Sequence, residues 1–181
     1  MGKISRFLIK NKGYIYIIGI VICAIFLSIP LFNNKLDVLR DDGAQHVIRI
    51  EETAKAIKNM TSPKVYYDLY NGFGYSWDIF YGNFTSFIPS IFCAFLGISA
   101  INTFKIFLGI LILLSGISMY IATYKMFNNK EISFMAAIMY MCAPYHLNDI
   151  YIRYAVRRNC CFCIYSTCIF RIGCTNTWKE N

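Results

Sequence analysis

Charged residues are scarce in this chain, and their scarcity is the first guide to its class. Only 15% of the 181 residues are charged, whereas 57% are hydrophobic. Soluble domains carry about 25% charged residues, so the composition excludes an ordinary soluble protein and indicates a membrane protein. The uncharged windows run from Lys12 to Lys35 (22 residues), Asp78 to Lys105 (26), Lys105 to Lys125 (19) and Glu131 to Asp149 (17).

Familiar catalytic motifs and early acidic residues are missing as well. The chain contains no Walker loop, dinucleotide fingerprint, zinc-protease motif or nucleophile elbow.

No acid precedes the first uncharged window, and no small-x-small cleavage site follows it, so an uncleaved span is favoured over a signal peptide. The positive-inside rule then places the N-terminus in the cytoplasm. The basic residues that set this orientation are Lys3, Arg6, Lys10 and Lys12.

The windows predict an all-α, polytopic helical membrane protein with about four hydrophobic segments. Each window reaches the roughly 17–25 residues that a bilayer requires of a helix. The spans are expected at about 14–32, 84–101, 106–124 and 132–148, with an external loop at 33–80. We expect these elements to form the N-terminal part of a polytopic membrane domain, residues 1–156, in a bacterial cytoplasmic membrane.

The orientation after residue 80 has two solutions. Simple alternation of spans puts Lys125 and Lys130 outside, whereas the positive-inside rule puts them inside. A re-entrant or surface helix in place of a full span at residues 80–100, which include Pro89 and Gly97, reconciles the two.

The net charge of +8 does not indicate a nucleic-acid partner. The positive charges lie at membrane edges rather than in a stripe interleaved with aromatic residues, so they are typical of topology-setting charge. The predicted partner is the lipid bilayer.

The external loop contains the most informative polar run. Residues 42–59 predict an amphipathic helix along the membrane surface, ending near Pro63. On this helix Asp42, His46 and Arg49 share one face, and apolar side chains form another. The run reads Asp41-Asp42-Gly-Ala-Gln-His46-Val-Ile-Arg49, and the apolar face carries Val47, Ile50, Ala54 and Ile57.

Two further segments are candidate binding regions. An aromatic loop carries Tyr75, Trp77 and Tyr81, whose rings suit either an interfacial belt or contact with a sugar or lipid. The last predicted span runs into a second polar segment that ends at Arg153. An ionisable group at membrane depth is a functional candidate, although a side chain that snorkels to the interface explains Arg153 as well.

Residues 157–181 form an aberrant, cysteine-rich tail. The tail holds five of the eight cysteines, but their spacing lacks the paired C-x-x-C of structural zinc sites, and a disulfide framework belongs to small secreted domains. A shifted reading frame is the third explanation. Back-translation into AT-rich codons, read one base further on, gives EEIVAFVFIPLVFLGLD, an apolar span preceded by acids. We therefore expect a frame-shifted tail on a truncated chain.

Residues 5–156 resemble a known family. The order and spacing of their motifs are similar to the N-terminal part of YfhO-like bacterial multi-spanning membrane proteins, some of which carry a 6-pyruvoyl-tetrahydropterin-synthase-related domain. These proteins resemble glycosyltransferases of the GT-C class. The motifs are Asp41-Asp42 with His46 and Arg49, Asn71-Gly-Phe-Gly-Tyr75 with Phe80-Tyr81, Gly116-Ile-Ser-Met-Tyr120, and Ala143-Pro-Tyr145 leading to Arg153-Tyr-Ala.

The resemblance implies a reaction and roles for residues. It implies transfer of a sugar from a polyprenyl-phosphate carrier to a cell-envelope acceptor, with Asp41 or Asp42 as general base or as ligand of a divalent cation. Arg49 or Arg153 would hold the lipid-linked phosphate, and His46 would transfer a proton, contact the diphosphate or serve as a structural histidine. Full-length members are several times longer, so the fragment itself is expected to be inactive.

A second function class remains open. In a non-catalytic integral membrane protein, such as a lipid-binding or transport component, the same polar residues would form only an interfacial salt-bridge network.

Overall fold

The computed structural model describes residues 12–33, 39, 41–61, 72–76 and 84–177. All the long elements in these ranges are helices, as the sequence predicted. They are α1 (Lys12–Phe32), α2 (Asp42–Lys58), α3 (Phe84–Leu96), α4 (Ala100–Phe127), α5 (Lys130–Met141), α6 (Pro144–Tyr151) and α7 (Val156–Thr177).

The chain forms two compact units, which are described separately. The loop unit is Asp37–Phe107 and contains α2, α3 and the start of α4. The bundle unit consists of Met1–Leu36 together with Leu108–Asn181, and it contains α1, the rest of α4 and α5–α7.

Two helices in the described residues are long and apolar enough to cross a membrane. They are Gly13–Phe32 of α1 and Ala100–Phe127, which is α4. They correspond to the first and third expected spans. Much of α1 is exposed and apolar, with Ile22, Ile25 and Phe26 each at least 60% exposed, as suits a helix that faces lipid.

The second and fourth expected spans do not form single long helices. Helix α3 has 13 residues, about 20 Å of helix against the roughly 30 Å of a bilayer core. It ends before Gly97, whose φ of 67° lies in the left-handed region that glycine adopts readily. The fourth segment is divided at Cys142 and Ala143, because Pro144 disfavours helical backbone in the residue before it. Four spans are therefore not confirmed.

Small residues bring the helices of the bundle unit together. A side chain at Gly109 would meet the Oγ of Ser28 at 3.0 Å, and one at Gly116 would overlap Met141 and meet Ile20 at 3.1 Å. Contacts of this kind are typical of membrane helices, where small residues let backbones approach closely. The pairing of Ser28 with Gly109, and of Ile20 with Gly116, makes α1 antiparallel to α4.

The cysteine-rich tail folds as α7 and packs in the bundle unit. The Oγ of Ser166 donates to the Oγ of Ser118 at 2.8 Å, and the Sγ of Cys163 donates to the carbonyl of Leu111 at 3.6 Å. Helix α7 has 22 residues but is not among the two helices apolar enough to span a membrane. The expectation of a shifted frame stays a prediction.

Candidate functional site

The two acids of the polar run lie at the exposed start of α2. Asp41 is the residue before the helix, with a φ of 45°, and its side chain makes no capping hydrogen bond. Positive φ is uncommon for a non-glycine residue, and aspartate is one of the types that tolerate it. Asp42 opens the helix, where the positive end of the helix dipole favours a carboxylate. Both side chains are exposed to solvent.

His46 and Arg49 lie on the buried side of the same helix. Each is 7% exposed. The imidazole of His46 stacks on the ring of Phe104 at a centroid distance of 5.8 Å and an angle of 20°. The Nη2 of Arg49 donates to the Oε1 of Gln45 at 3.2 Å. The start of the helix therefore directs Asp41 and Asp42 to solvent, whereas His46 and Arg49 face the interior of the loop unit.

This arrangement corrects the expected division of α2 into a chemical face and a packing face. The polar and apolar stripes are adjacent on the helix, and both are buried except at Asp42, which is exposed, and Ile57, which is half-buried. The buried residues are Gly43, His46, Val47, Arg49, Ile50, Thr53 and Ala54. The apolar stripe packs in the loop unit, where α2 lies against α3.

Small hydroxyl groups occupy the contact between α2 and α3. The Oγ of Ser90 lies 3.1 Å from the carbonyl of Ile50 and 2.6 Å from the carbonyl of Ser86. Ser86, Ser90 and Thr53 are buried at 3% exposure or less. Serine and threonine can satisfy their own polar groups on local carbonyls, so they allow two helices to approach without an orphaned hydroxyl.

The opposite side of α2 is a solvated ion-pair face. The Nζ of Lys55 lies 2.7 Å from Glu52 and 3.3 Å from Glu51. The hydrogen bond to Glu52 is the main cause that raises the pKa of Lys55. Exposed ion pairs of this kind contribute under about 1 kcal/mol to the free energy of unfolding. This face of α2 is therefore a solvated surface and not a binding site.

The remaining predicted site residues are dispersed. Arg153 belongs to the bundle unit, where it is exposed just after α6 and its backbone N–H donates to the carbonyl of Asn148 at 3.1 Å. Tyr75 is half-buried and lies in the loop unit, beside Gly74 at a φ of 74°. Trp77 and Tyr81 lie outside the described residues.

Sequence reasoning missed a second group of polar residues in the bundle unit. His146 and Asp149 on α6 are fully buried, and Asn159 on α7 is buried with them. His146 and Asp149 stood inside the second polar segment but were not predicted as site residues. Pro144 was the available signal, since a proline inside an apolar window indicates a broken helix.

No cluster of three or more His, Cys, Asp or Glu side chains that could hold a metal ion occurs among the residues described here. The adjacent carboxylates of Asp41 and Asp42 are exposed, and any divalent cation bound there would take further ligands from substrate or water.

Comparison with known proteins finds no match to a family model, to a characterised protein or to a solved structure.

Proposed function

We propose that this chain is the N-terminal membrane part of a GT-C-type glycosyltransferase that uses a polyprenyl-phosphate sugar. The proposal rests on the resemblance of the sequence to YfhO-like proteins. One observation carries it furthest: α2 presents Asp41 and Asp42 to solvent at its start, while His46 and Arg49 are held inside the unit. An exposed carboxylate on a rigid helix can accept the proton of an acceptor hydroxyl without leaving a buried charge.

The contacts of the bundle unit support a topology for this protein. Lys130 follows the end of α4, and its Nζ lies 3.6 Å from the position that a side chain at Gly13 would take. The start of α1, the end of α4 and the start of α5 are therefore at one end of the bundle unit. By the positive-inside rule that end faces the cytoplasm, with Lys125 and Lys130.

This placement favours the topology in which residues 80–100 do not cross the membrane. Helix α1 leads outward and α4 leads back inward, so the chain between them, including the acids at residues 41 and 42, lies outside. Helix α3 is then a re-entrant or surface helix, consistent with its 13 residues. Helices α5 and α6 form a third, broken segment.

We assign the phosphate of the lipid carrier to an arginine. Arg49 is buried beside Gln45 on the helix that begins with the acids. Arg153 is exposed in the bundle unit, where its guanidinium is able to bind phosphate directly. His46, stacked on Phe104, positions α2 rather than moving a proton.

A transport or lipid-binding component is the second candidate function. The broken segment α5–α6 favours it, because discontinuous membrane helices commonly carry binding sites for ions and substrates.

The decisive experiment compares carboxylate variants in an intact form of the protein. A coding sequence in which the reading frame is restored after codon 156 is expressed, and sugar transfer from polyprenyl-phosphate donor is measured in proteoliposomes. The double variant Asp41→Asn, Asp42→Asn loses transfer by about 100-fold or more, since general-base catalysis contributes 10²–10⁴-fold.

The matched control is Glu131→Gln, which removes an exposed carboxylate from the bundle unit. We expect it to retain transfer at the level of the unsubstituted protein. Full activity of the double variant, at equal protein levels, contradicts the proposal and favours the transport component.

A further inference from the structure

The break between α5 and α6 is a built feature of the bundle unit. Ala143 has a φ of −58° and a ψ of 131°, outside the helical region, as the residue before Pro144 requires. The helix α5 ends with the N–H of Cys142 bonded to the carbonyl of Ile138 at 3.0 Å, and that of Ala143 bonded to Tyr140 at 3.3 Å. Helix α6 then begins at Pro144, which has no N–H to satisfy.

Contacts of the residues around this break show its position along α1 and α4. Met141, the last residue of α5, packs where Gly116 of α4 meets Ile20 of α1. Further along, the hydroxyl of Tyr151 donates to the carbonyl of Leu27 on α1. If α1 and α4 span the bilayer as proposed above, the break lies near mid-membrane and α6 lies in the outer half.

Two ionisable side chains follow the break and are fully enclosed. His146 and Asp149, one helical turn apart, are both 0% exposed. The ring of Phe162 lies 4.5 Å from the His146 ring, and the ring of Tyr140 lies 6.1 Å from it. His146 is thus flanked by aromatic side chains of α5 and α7.

Polar atoms of this group have no hydrogen-bond partner among the described residues. They are both ring nitrogens of His146, the Oδ2 of Asp149 and the Oδ1 of Asn159. Burying a polar group without a partner is unfavourable, and burying a charged one is more so. Three of the four orphaned atoms belong to groups that can bind a proton.

One cation faces the pair. The Nη1 of Arg158 lies 3.5 Å from the Oδ1 of Asp149, and it also donates to the hydroxyl of Tyr145 at 3.0 Å. From α5 the facing titratable group is Tyr140, whose hydroxyl donates to the carbonyl of Phe162 at 2.9 Å. Helix α1 meets α6 through the backbone carbonyl of Leu27. Arg158 balances the Asp149 carboxylate, so His146 is the site where one further proton can be added.

We propose that His146 and Asp149 form a proton-binding site within the broken membrane segment α5–α6. His146 takes up one proton on its ring, and the resulting imidazolium is stabilised by the backbone of Tyr140 and Met141 at the end of α5 and by the Asp149 carboxylate. Ionisable residues enclosed at membrane depth commonly serve proton or ion pathways. The inference rests on the membrane placement proposed above and on α7 in the reading frame as printed, because Arg158 and Phe162 belong to that helix. It does not rest on sugar transfer.

The chain makes this site unusually simple to observe. It contains two histidines, so His46→Gln leaves His146 as the only imidazole. The full chain with ¹⁵N-labelled histidine is reconstituted in lipid nanodiscs, and the ring nitrogen shifts are recorded between about pH 4 and pH 9. We expect one titration, and in Asp149→Asn its midpoint moves to lower pH by about one unit or more because the stabilising carboxylate is lost.

Asp149→Glu keeps the carboxylate and is expected to retain the titration even if Asp149→Asn does not fold. Glu131→Gln is the matched control, since it removes an exposed carboxylate of the same unit, and it leaves the midpoint unchanged. A His146 that keeps one protonation state over the whole range overturns the proposal, as does a midpoint that Asp149→Asn leaves in place. The readout needs no sugar donor, so its failure is distinct from failure of the transferase proposal.

Discussion

The acids at the start of α2 are exposed, whereas His46 and Arg49 of the same helix are buried, and this difference separates chemistry from packing at the residue scale. Asp42 is exposed and lies at the favourable end of the helix dipole, so the fold does not depend on its contacts. His46 is 7% exposed and stacked on Phe104. We therefore expect substitutions of the acids to affect function and substitutions of His46 to affect stability.

The free energy of unfolding tests this division. Asp42→Ala lowers it by less than about 1 kcal/mol, the usual contribution of an exposed carboxylate at a helix N-terminus. His46→Ala lowers it by about 1–3 kcal/mol, since the ring leaves a cavity against Phe104. Reversible unfolding of the purified protein in mixed micelles, followed by circular dichroism, measures both. Equal effects of the two variants would contradict the assigned roles.

Close approach of helices depends on glycine at the element scale. Gly116 lies where Met141 of α5 and Ile20 of α1 meet α4, and no room remains for a Cβ atom. Gly13 is the contrasting position, since a side chain there meets only the flexible end of Lys130 at 3.6 Å. Substituting alanine at each of these two glycines therefore distinguishes the effect of helix packing from the effect of helix propensity.

Gly116→Ala is expected to lower the free energy of unfolding by about 1–3 kcal/mol, the usual cost of overpacking. Gly13→Ala is the matched control and leaves stability unchanged or slightly raises it, because alanine favours the helix. The same micelle assay compares them. A stable Gly116→Ala protein would show that α1, α4 and α5 do not pack as described.

The sequence predicted the positions of the long helices better than it predicted the breaks between shorter ones. Long uncharged windows located α1 and α4, because lipid-facing helices need continuous apolar length. The breaks at Gly97 and Pro144 were visible as residues, but a window of uncharged residues does not respond to backbone geometry. For the same reason Asp41, Asp42, His46 and Arg49 were found by helical spacing, whereas the burial of His146 and Asp149 depends on which helices pack around α6.

At the scale of the whole molecule, the composition of the cysteine-rich tail raises the question of the reading frame of the coding DNA. Helix α7 has the length of a span without the apolar composition of one, whereas the shifted reading of the same bases gives an apolar run preceded by two acids. We predict that the coding DNA carries one extra or missing base near codon 157 and that an open frame with further apolar segments continues downstream. Resequencing from about codon 145 onward tests this. An unaltered frame with no membrane-coding sequence after it would make the cysteine-rich tail genuine.

The central proposal at the scale of the molecule is topological: we propose that α1 leads outward and α4 leads back, so that Asp41 and Asp42 lie on the outer side of the membrane. Cysteine labelling tests it most directly. In a variant without the eight native cysteines, Ser99→Cys and Phe127→Cys place single thiols at exposed positions before α4 and at its end. A membrane-impermeant maleimide added to intact cells should label Ser99→Cys at once and Phe127→Cys only after the membrane is opened. Labelling of Phe127→Cys from outside would contradict the account.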